Sequence, residues 1–150
     1  MPTIHAVHPP NHIETLTHEE AMDLLTFGAY LGRIAYIEKG RPVVRPVNYL
    51  ADDGEIIFRT HKGTAISRFQ NEHVEFETDS SHPLEHSGWS VIVQGVASVI
   101  RNSKAREILR RGPLMSWAWP QGEHYVSMSI LEISGIRIVS SEEYPRPHLV

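Results

Sequence analysis

A chain of 150 residues is enough for one hydrophobic core and short for two. Its 41% hydrophobic and 21% charged residues exclude a largely disordered polymer. With 14 basic against 18 acidic side chains, a net charge of -4, there is no basic footprint for nucleic acid, and the absence of cysteine excludes disulfides, thiolate metal sites and cysteine nucleophiles.

The first residues, Met1-Pro2-Thr3-Ile4-His5, carry neither a basic nor an apolar targeting region, and no run reaches the ~18 apolar residues of a membrane span. A cytoplasmic protein with no membrane and no nucleic-acid partner is expected. Residues 1–15, rich in His and Pro, read as a flexible arm, residues 16–139 as one domain, and residues 140–150 as a tail.

Thr17-His18-Glu19-Glu20 is a capping box: the Thr17 hydroxyl can accept from a first-turn amide while Glu20 reaches back to the cap. The helix that follows has Ala21, Leu24 and Leu25 on one face and Gly28 as its predicted positive-φ stop. The pattern then turns to β: Tyr30 to Glu38, a Lys39-Gly40 turn, Pro42 to Leu50, an Asp52-Asp53-Gly54 turn, and Glu55 to Thr60. Thr64 to Phe69 reads as a short helix, His73 to Thr78 as a strand, and residues 79–88 as a polar loop. Trp89 to Ile100 is the longest β signal, with Gly95 marking a bulge or a close backbone approach. Asn102 or Ser103 can cap a helix from Lys104 to Arg111, stopped by Gly112-Pro113, and two last strands are expected at Tyr125 to Ile133 and Ile136 to Val139. Many antiparallel strands with few short helices favour closure into a small barrel, because closure removes exposed edges. A sandwich gives a similar pattern.

In order along the chain, Gly32-Arg33-Ile34-Ala35, Arg45-Pro46-Val47-Asn48-Tyr49, Ile57-Phe58-Arg59-Thr60-His61-Lys62-Gly63-Thr64 and Gly88-Trp89-Ser90-Val91-Ile92-Val93-Gln94-Gly95 resemble the pyridoxamine 5'-phosphate oxidase-like flavoproteins. The likeness is strongest to the nitroimidazole reductase-like branch and runs over roughly residues 16–139. It implies a mainly β fold, an FMN-binding split β-barrel with a few short helices. It further implies a homodimer with FMN in two interface clefts, and oxidoreductase activity on a small-molecule substrate with electrons supplied by a reductant. By the same resemblance Arg45, Pro46, Val47 and Asn48 lie along the isoalloxazine and ribityl chain, Arg59, Thr60 and Thr64 near the phosphate, and Ser90 against the flavin.

Physical chemistry supports that placement. A phosphate dianion needs directed donors and cationic charge to replace its water, and Arg45, Arg59, Lys62, Thr60 and Thr64 are such groups, with a helix N-terminus expected at Thr64. The chain departs from the family motif at Ala65, where Lys or Arg is usual, leaving Lys62, Arg59 or Arg68 to supply the charge. The alternative ligands are the deazaflavin coenzyme and haem, and the alternative function is a non-catalytic binding or carrier protein for flavin, deazaflavin or haem.

No catalytic acid or base stands out. Asn48 and Tyr49 are the nearest polar candidates for the ring or substrate, and Arg137 is the only counterpart to the C-terminal substrate segment of the true oxidases. Trp89, Trp117 and Trp119 read as packing or interface residues before flavin stackers, and Trp89 is expected at a subunit contact first and at the cofactor second. No metal site is expected: the pairs among the 10 histidines, such as His82 and His86, lack an HExxH frame. No Gly-x-Ser-x-Gly elbow points to a hydrolase. Without the resemblance, Arg45 and Arg59 read as strand residues paired with Glu55, Glu75 or Glu77.

Overall fold

The computed structural model describes residues 11–52, 54–60, 63–100 and 124–140. Among them the capping box forms as expected: Glu20 N–H donates to the Thr17 hydroxyl at 3.2 Å and Thr17 N–H to the Glu20 carboxylate at 2.8 Å. It starts α1, His18–Asp23, which widens into a π-helical turn at Leu24–Gly28. Gly28 does not end the helix through a positive φ. Its reason is space: a Cβ there would sit 2.6 Å from Cζ2 of Trp89, whose indole packs against this turn. Trp89, expected at a subunit contact, thus also packs within its own chain, and it stays partly exposed. Trp117, Trp119 and the expected Lys104 to Arg111 helix lie outside the described residues.

The strands are β1 His12–Thr15, β2 Leu31–Glu38, β3 Arg41–Asp52, β4 Glu55–Thr60, β5 Glu72–His82, β6 Ser87–Ile100 and β7 His124–Val139. The sheet order is β1-β7-β4-β3-β2-β5-β6, and β6 pairs back onto β7. That closure makes the barrel, all of it antiparallel. Of the expected arm, His12–Thr15 is in fact a strand, with His12 opposite Val139 and Thr15 opposite Ile136. Its four side chains are all exposed, so no apolar alternation announces it. The expected loop at residues 79–88 is mostly strand as well. β5 and β6 continue as a ribbon to His82 opposite Ser87, outside the core, where polar side chains suffice.

The two expected C-terminal strands are one 16-residue strand, β7. Gln94 faces Glu132 but Gly95 faces Ile130, so Leu131 is an extra residue on β7 and the side-chain alternation reverses there. A bulge absorbs such a reversal without ending the strand. The expected close approach at Gly95 is present: a Cβ there would run into the Ser129 carbonyl oxygen.

The core is the inner face of the ring, including Ile34, Phe58, Phe76, Val91, Val93 and Met128, all fully buried. Tyr49 and Phe76 meet edge to face, ring centroids 4.8 Å apart. No helix of the described residues is long and apolar enough to cross a membrane.

Gly95→Ala should lower stability by roughly 1–3 kcal/mol, because the added methyl meets backbone rather than a flexible side chain. Urea unfolding followed by far-UV circular dichroism measures it, and an unchanged midpoint would refute the close approach.

Candidate functional site

The strands β3 and β4 pair only from Asp52 opposite Glu55 to Tyr49 opposite Phe58. Beyond that point β3, from Asn48 back to Arg41, follows β2, while Arg59 and Thr60 pair with Tyr125 and His124 of β7. The two strands part where the sequence places the ligand. Their divergence leaves Val47 and Asn48 on one side and Arg59 and Thr60 on the other.

On the β4 side two hydroxyls meet. The Thr60 and Thr64 hydroxyls are 2.9 Å apart across the turn, and the Arg59 guanidinium lies 5.7 Å from the centroid of the Tyr125 ring. Thr60 is buried and Arg59 half-buried. The two hydroxyls suit a phosphate ester, whereas Arg59 alternates to the opposite face of β4, with Ile57 and Tyr125. The expected helix N-terminus contributes less than its sequence suggests. The described helix is a single three-residue turn, Ile66–Arg68. Its Ser67 N–H already donates to the Thr64 carbonyl and hydroxyl, at 3.2 and 3.3 Å. So short a turn has little dipole and no spare amide at Ser67. Lys62 lies outside the described residues.

On the β3 side, strand alternation divides the predicted set. Val47 and Tyr49 point into the core and Asn48 to the outside, on the side of Leu31, its cross-strand partner. Arg45 shares the face of Ile34 yet is exposed, its Nη1 donating to the Val44 carbonyl at 3.3 Å. Pro46 is exposed opposite Arg33. Val47, at 9% exposure, is a core residue that can offer a ligand its backbone and little else.

Tyr49 is not a substrate contact. It is buried, and its hydroxyl donates to the Leu25 carbonyl at 2.7 Å and lies 3.4 Å from the Thr78 hydroxyl. Thr78 in turn donates to the Leu31 carbonyl at 2.9 Å. Burial pushes the Tyr49 phenol up, against a smaller lowering by its hydrogen bond to Thr78. Arg137 is likewise engaged, 3.6 Å from the Glu20 carboxylate. Glu20 is held below the usual carboxylate range by the Thr17 amide first, with Arg137 assisting.

Ser90 lies on β6 between Asp79 of β5 and Ile136 of β7. It is three strands from Asn48, about 14 Å at ~4.8 Å per strand, and at the far end of β7 from Arg59. One chain thus brings the Thr60 and Thr64 hydroxyls together, sets Arg59 on the opposite face of β4, and leaves Ser90 apart.

Sequence reasoning missed the ion-pair cluster next to Pro46. Arg33 Nη1 donates to Glu77 at 2.8 Å and to Asp79 at 3.0 Å, and these bonds, Glu77 foremost, hold the guanidinium in its charged form. Glu77 is therefore the partner of Arg33 and not of Arg45. The carboxylates are more than 40 residues away in the chain, so no local signal reveals them.

The sequence profile of pyridoxamine 5'-phosphate oxidase matches residues 17–137. The chain belongs to that family. An uncharacterised Mycobacterium tuberculosis protein is 31% identical over 137 residues, 87% of this chain and 88% of the relative. Among solved structures, a Corynebacterium glutamicum protein superposes with a TM-score of 0.73 at 26% identity, over 89% of this chain and 99% of that one. The FAD-binding protein of Mycobacterium smegmatis is 32% identical with a TM-score of 0.69, over 83% and 98%. The split barrel expected of the family is the fold observed.

Tyr49→Phe should destabilise the protein by about 1–3 kcal/mol near neutral pH, since it leaves the buried Leu25 carbonyl without its donor. The raised phenol adds stability that is complete below the unfolded tyrosine value, near 10.0, and is lost as pH climbs toward the folded one. The gap between wild type and variant should therefore narrow above that pH. Denaturant melts across the alkaline range test it, and a constant gap would contradict the assignment.

Proposed function

We propose that the protein is a flavin-dependent oxidoreductase that works as a homodimer. The observation that carries this reading is the contact of the Thr60 and Thr64 hydroxyls at the end of β4, with Arg59 next to Thr60 in the chain, beside the divergence from β3, in a member of this family. The FAD-binding relative, 32% identical over 83% of the chain, supports a flavin as the ligand. FMN is the smallest flavin nucleotide that fits the motif, and FAD shares its ring, ribityl chain and first phosphate. When bound, the flavin supplies hydride and electron transfer. The residues of this chain bind and orient it: Arg59, Thr60 and Thr64 at the phosphate, with Lys62 as a further cation; Asn48 and Pro46 along the ring edge; and Arg45 at the exposed mouth. Ser90 reaches the same ligand from a second chain, which reconciles its distance from Arg59 with its place in the motif.

Exposed apolar side chains on the outside of the ring favour a second copy. Val44 is 56% exposed, Ile92 47% and Leu131 64%, on β3, β6 and β7. Flat apolar surface of this kind is normally covered. A carrier that holds flavin without turnover is the second reading. Ala65 favours it, because a phosphate site short of one cation suits a ligand that exchanges.

Purified protein should be yellow after incubation with FMN or FAD, and an absorption spectrum distinguishes either from deazaflavin or haem. Steady-state consumption of a nicotinamide reductant separates oxidoreductase from carrier. Arg59→Ala should weaken FMN about tenfold or more, a loss of at least ~1.4 kcal/mol, and riboflavin, which lacks the phosphate, far less. Equal losses for both ligands would move the phosphate elsewhere. Light scattering should give twice the 17.0 kDa chain mass, and a monomer at micromolar concentration would remove the interface site.

A further inference from the structure

From Asn48 back to Arg41, β3 pairs with β2 on one edge, and among the described residues no strand covers the other, since the pairing with β4 ends at Tyr49 opposite Phe58. A strand open on one edge has lost half of its backbone support. At the point of parting, buried hydroxyls take over. The Tyr49 hydroxyl donates to the Leu25 carbonyl at 2.7 Å and lies 3.4 Å from the Thr78 hydroxyl, which donates to the Leu31 carbonyl at 2.9 Å. Leu25 stands in the last turn of the helical segment, where carbonyls have no donor within the helix. Tyr49 is the residue after Asn48, and Leu31 is the residue across from it. The two hydroxyls therefore anchor both neighbours of Asn48, one to the helix end and the other to β5. A further bond, from Tyr49 N–H to the Tyr30 carbonyl at 3.0 Å, closes the end of the β2–β3 ladder. The Tyr49 ring is held edge to face by Phe76, and Tyr49 and Thr78 are both buried, so bulk water does not compete for these bonds.

We propose that Tyr49 and Thr78 are positioning residues for the flavin ring: by fixing the backbone on either side of Asn48 they set where its amide meets the ring edge. This rests on the flavin reading above, in which Asn48 borders the ring. Neither hydroxyl touches the ligand. Phe and Val would fill the same core space without needing acceptors, whereas a buried hydroxyl is costly unless it is hydrogen-bonded. What the hydroxyls add is direction, since each bond joins its side chain to one carbonyl on another element. Precision of this kind matters in a site, because a displacement of about 1 Å in a ligand-contacting group weakens what it does. The effect falls on the ring end of the ligand. The phosphate end, at Thr60 and Thr64, is held by a different turn and should not feel it.

The test titrates the full chain with FMN and with riboflavin, well below the melting temperature of every variant, and records the absorption spectrum of the bound flavin. Tyr49→Phe and Thr78→Val should each weaken both ligands by the same factor, about tenfold, and shift the flavin bands, which respond to hydrogen bonds at the ring. Thr78→Ser keeps the hydroxyl and should bind and absorb as wild type does. Val74→Ala is the control for mere loosening. It removes packing from the same core, four residues along β5 from Thr78, about 13 Å. It should lower the melting temperature and leave both affinities and the spectrum unchanged. An equal loss of affinity in Val74→Ala overturns the proposal, because any weakening of the core would then do the same. A loss confined to FMN also overturns it, since the effect would lie at the phosphate. A wild-type protein that takes up no flavin overturns the functional reading and this proposal with it, whereas flavin uptake with wild-type affinities in Tyr49→Phe and Thr78→Val overturns the proposal alone.

Discussion

The structure depends on the closure of the sheet through β7. This 16-residue strand pairs with β6 along one edge and shares the other between β4, opposite His124 to Ser129, and β1, opposite Ile136 to Val139. Each pairing satisfies backbone groups that would otherwise lie open at a sheet edge, where they invite association with other chains. Closure also demands curvature, and the register shift opposite Gly95 provides it. A side chain at position 95 would push β6 away from the Ser129 carbonyl at the point where the ring must turn.

From closure follows the place of the site. All six residues of β4 pair with β7, but only the first four also pair with β3, which before Tyr49 follows β2 alone. The parting creates an opening whose two sides differ chemically. On one stand two hydroxyls, on the other a strand that alternates between core and surface. Thr60 ends β4 facing inward, yet its hydroxyl is not stranded, because the turn returns Thr64 to within 2.9 Å of it.

The outer surface carries two kinds of apolar side chain. Some lie on the strands, such as Val44 and Ile92, across the curved face of the ring. Others, Phe27 and Tyr30, sit on the segment that leads from the helix into β2. Between them runs Arg33, clamped to Glu77 and Asp79. Such half-exposed pairs contribute little to stability, but they put a fixed polar boundary between the two apolar areas.

The local features that need only neighbours in the chain are legible from the sequence. The capping box at Thr17, the hairpin turns at Lys39-Gly40 and Gly54, the strands from Tyr30 to Thr60 and the irregularity at Gly95 all follow from residue type and spacing, and the ordered motifs identify the family. Three features are not legible, each for a reason that lies in the tertiary structure. The strand His12–Thr15 exists because β7 offers it an edge, and its own exposed residues show no alternation. β7 is continuous because a bulge reverses its alternation, which in the sequence looks like an interruption. Tyr49, polar and inside the ligand motif, belongs to the core, since the π-helical turn brings the Leu25 carbonyl to its hydroxyl from 24 residues away. Side-chain type and period decide which segments become strands. Which strand end meets which, and therefore which of Arg45, Val47, Asn48, Tyr49 and Arg59 faces a ligand, is decided only when the ring closes and the register is set.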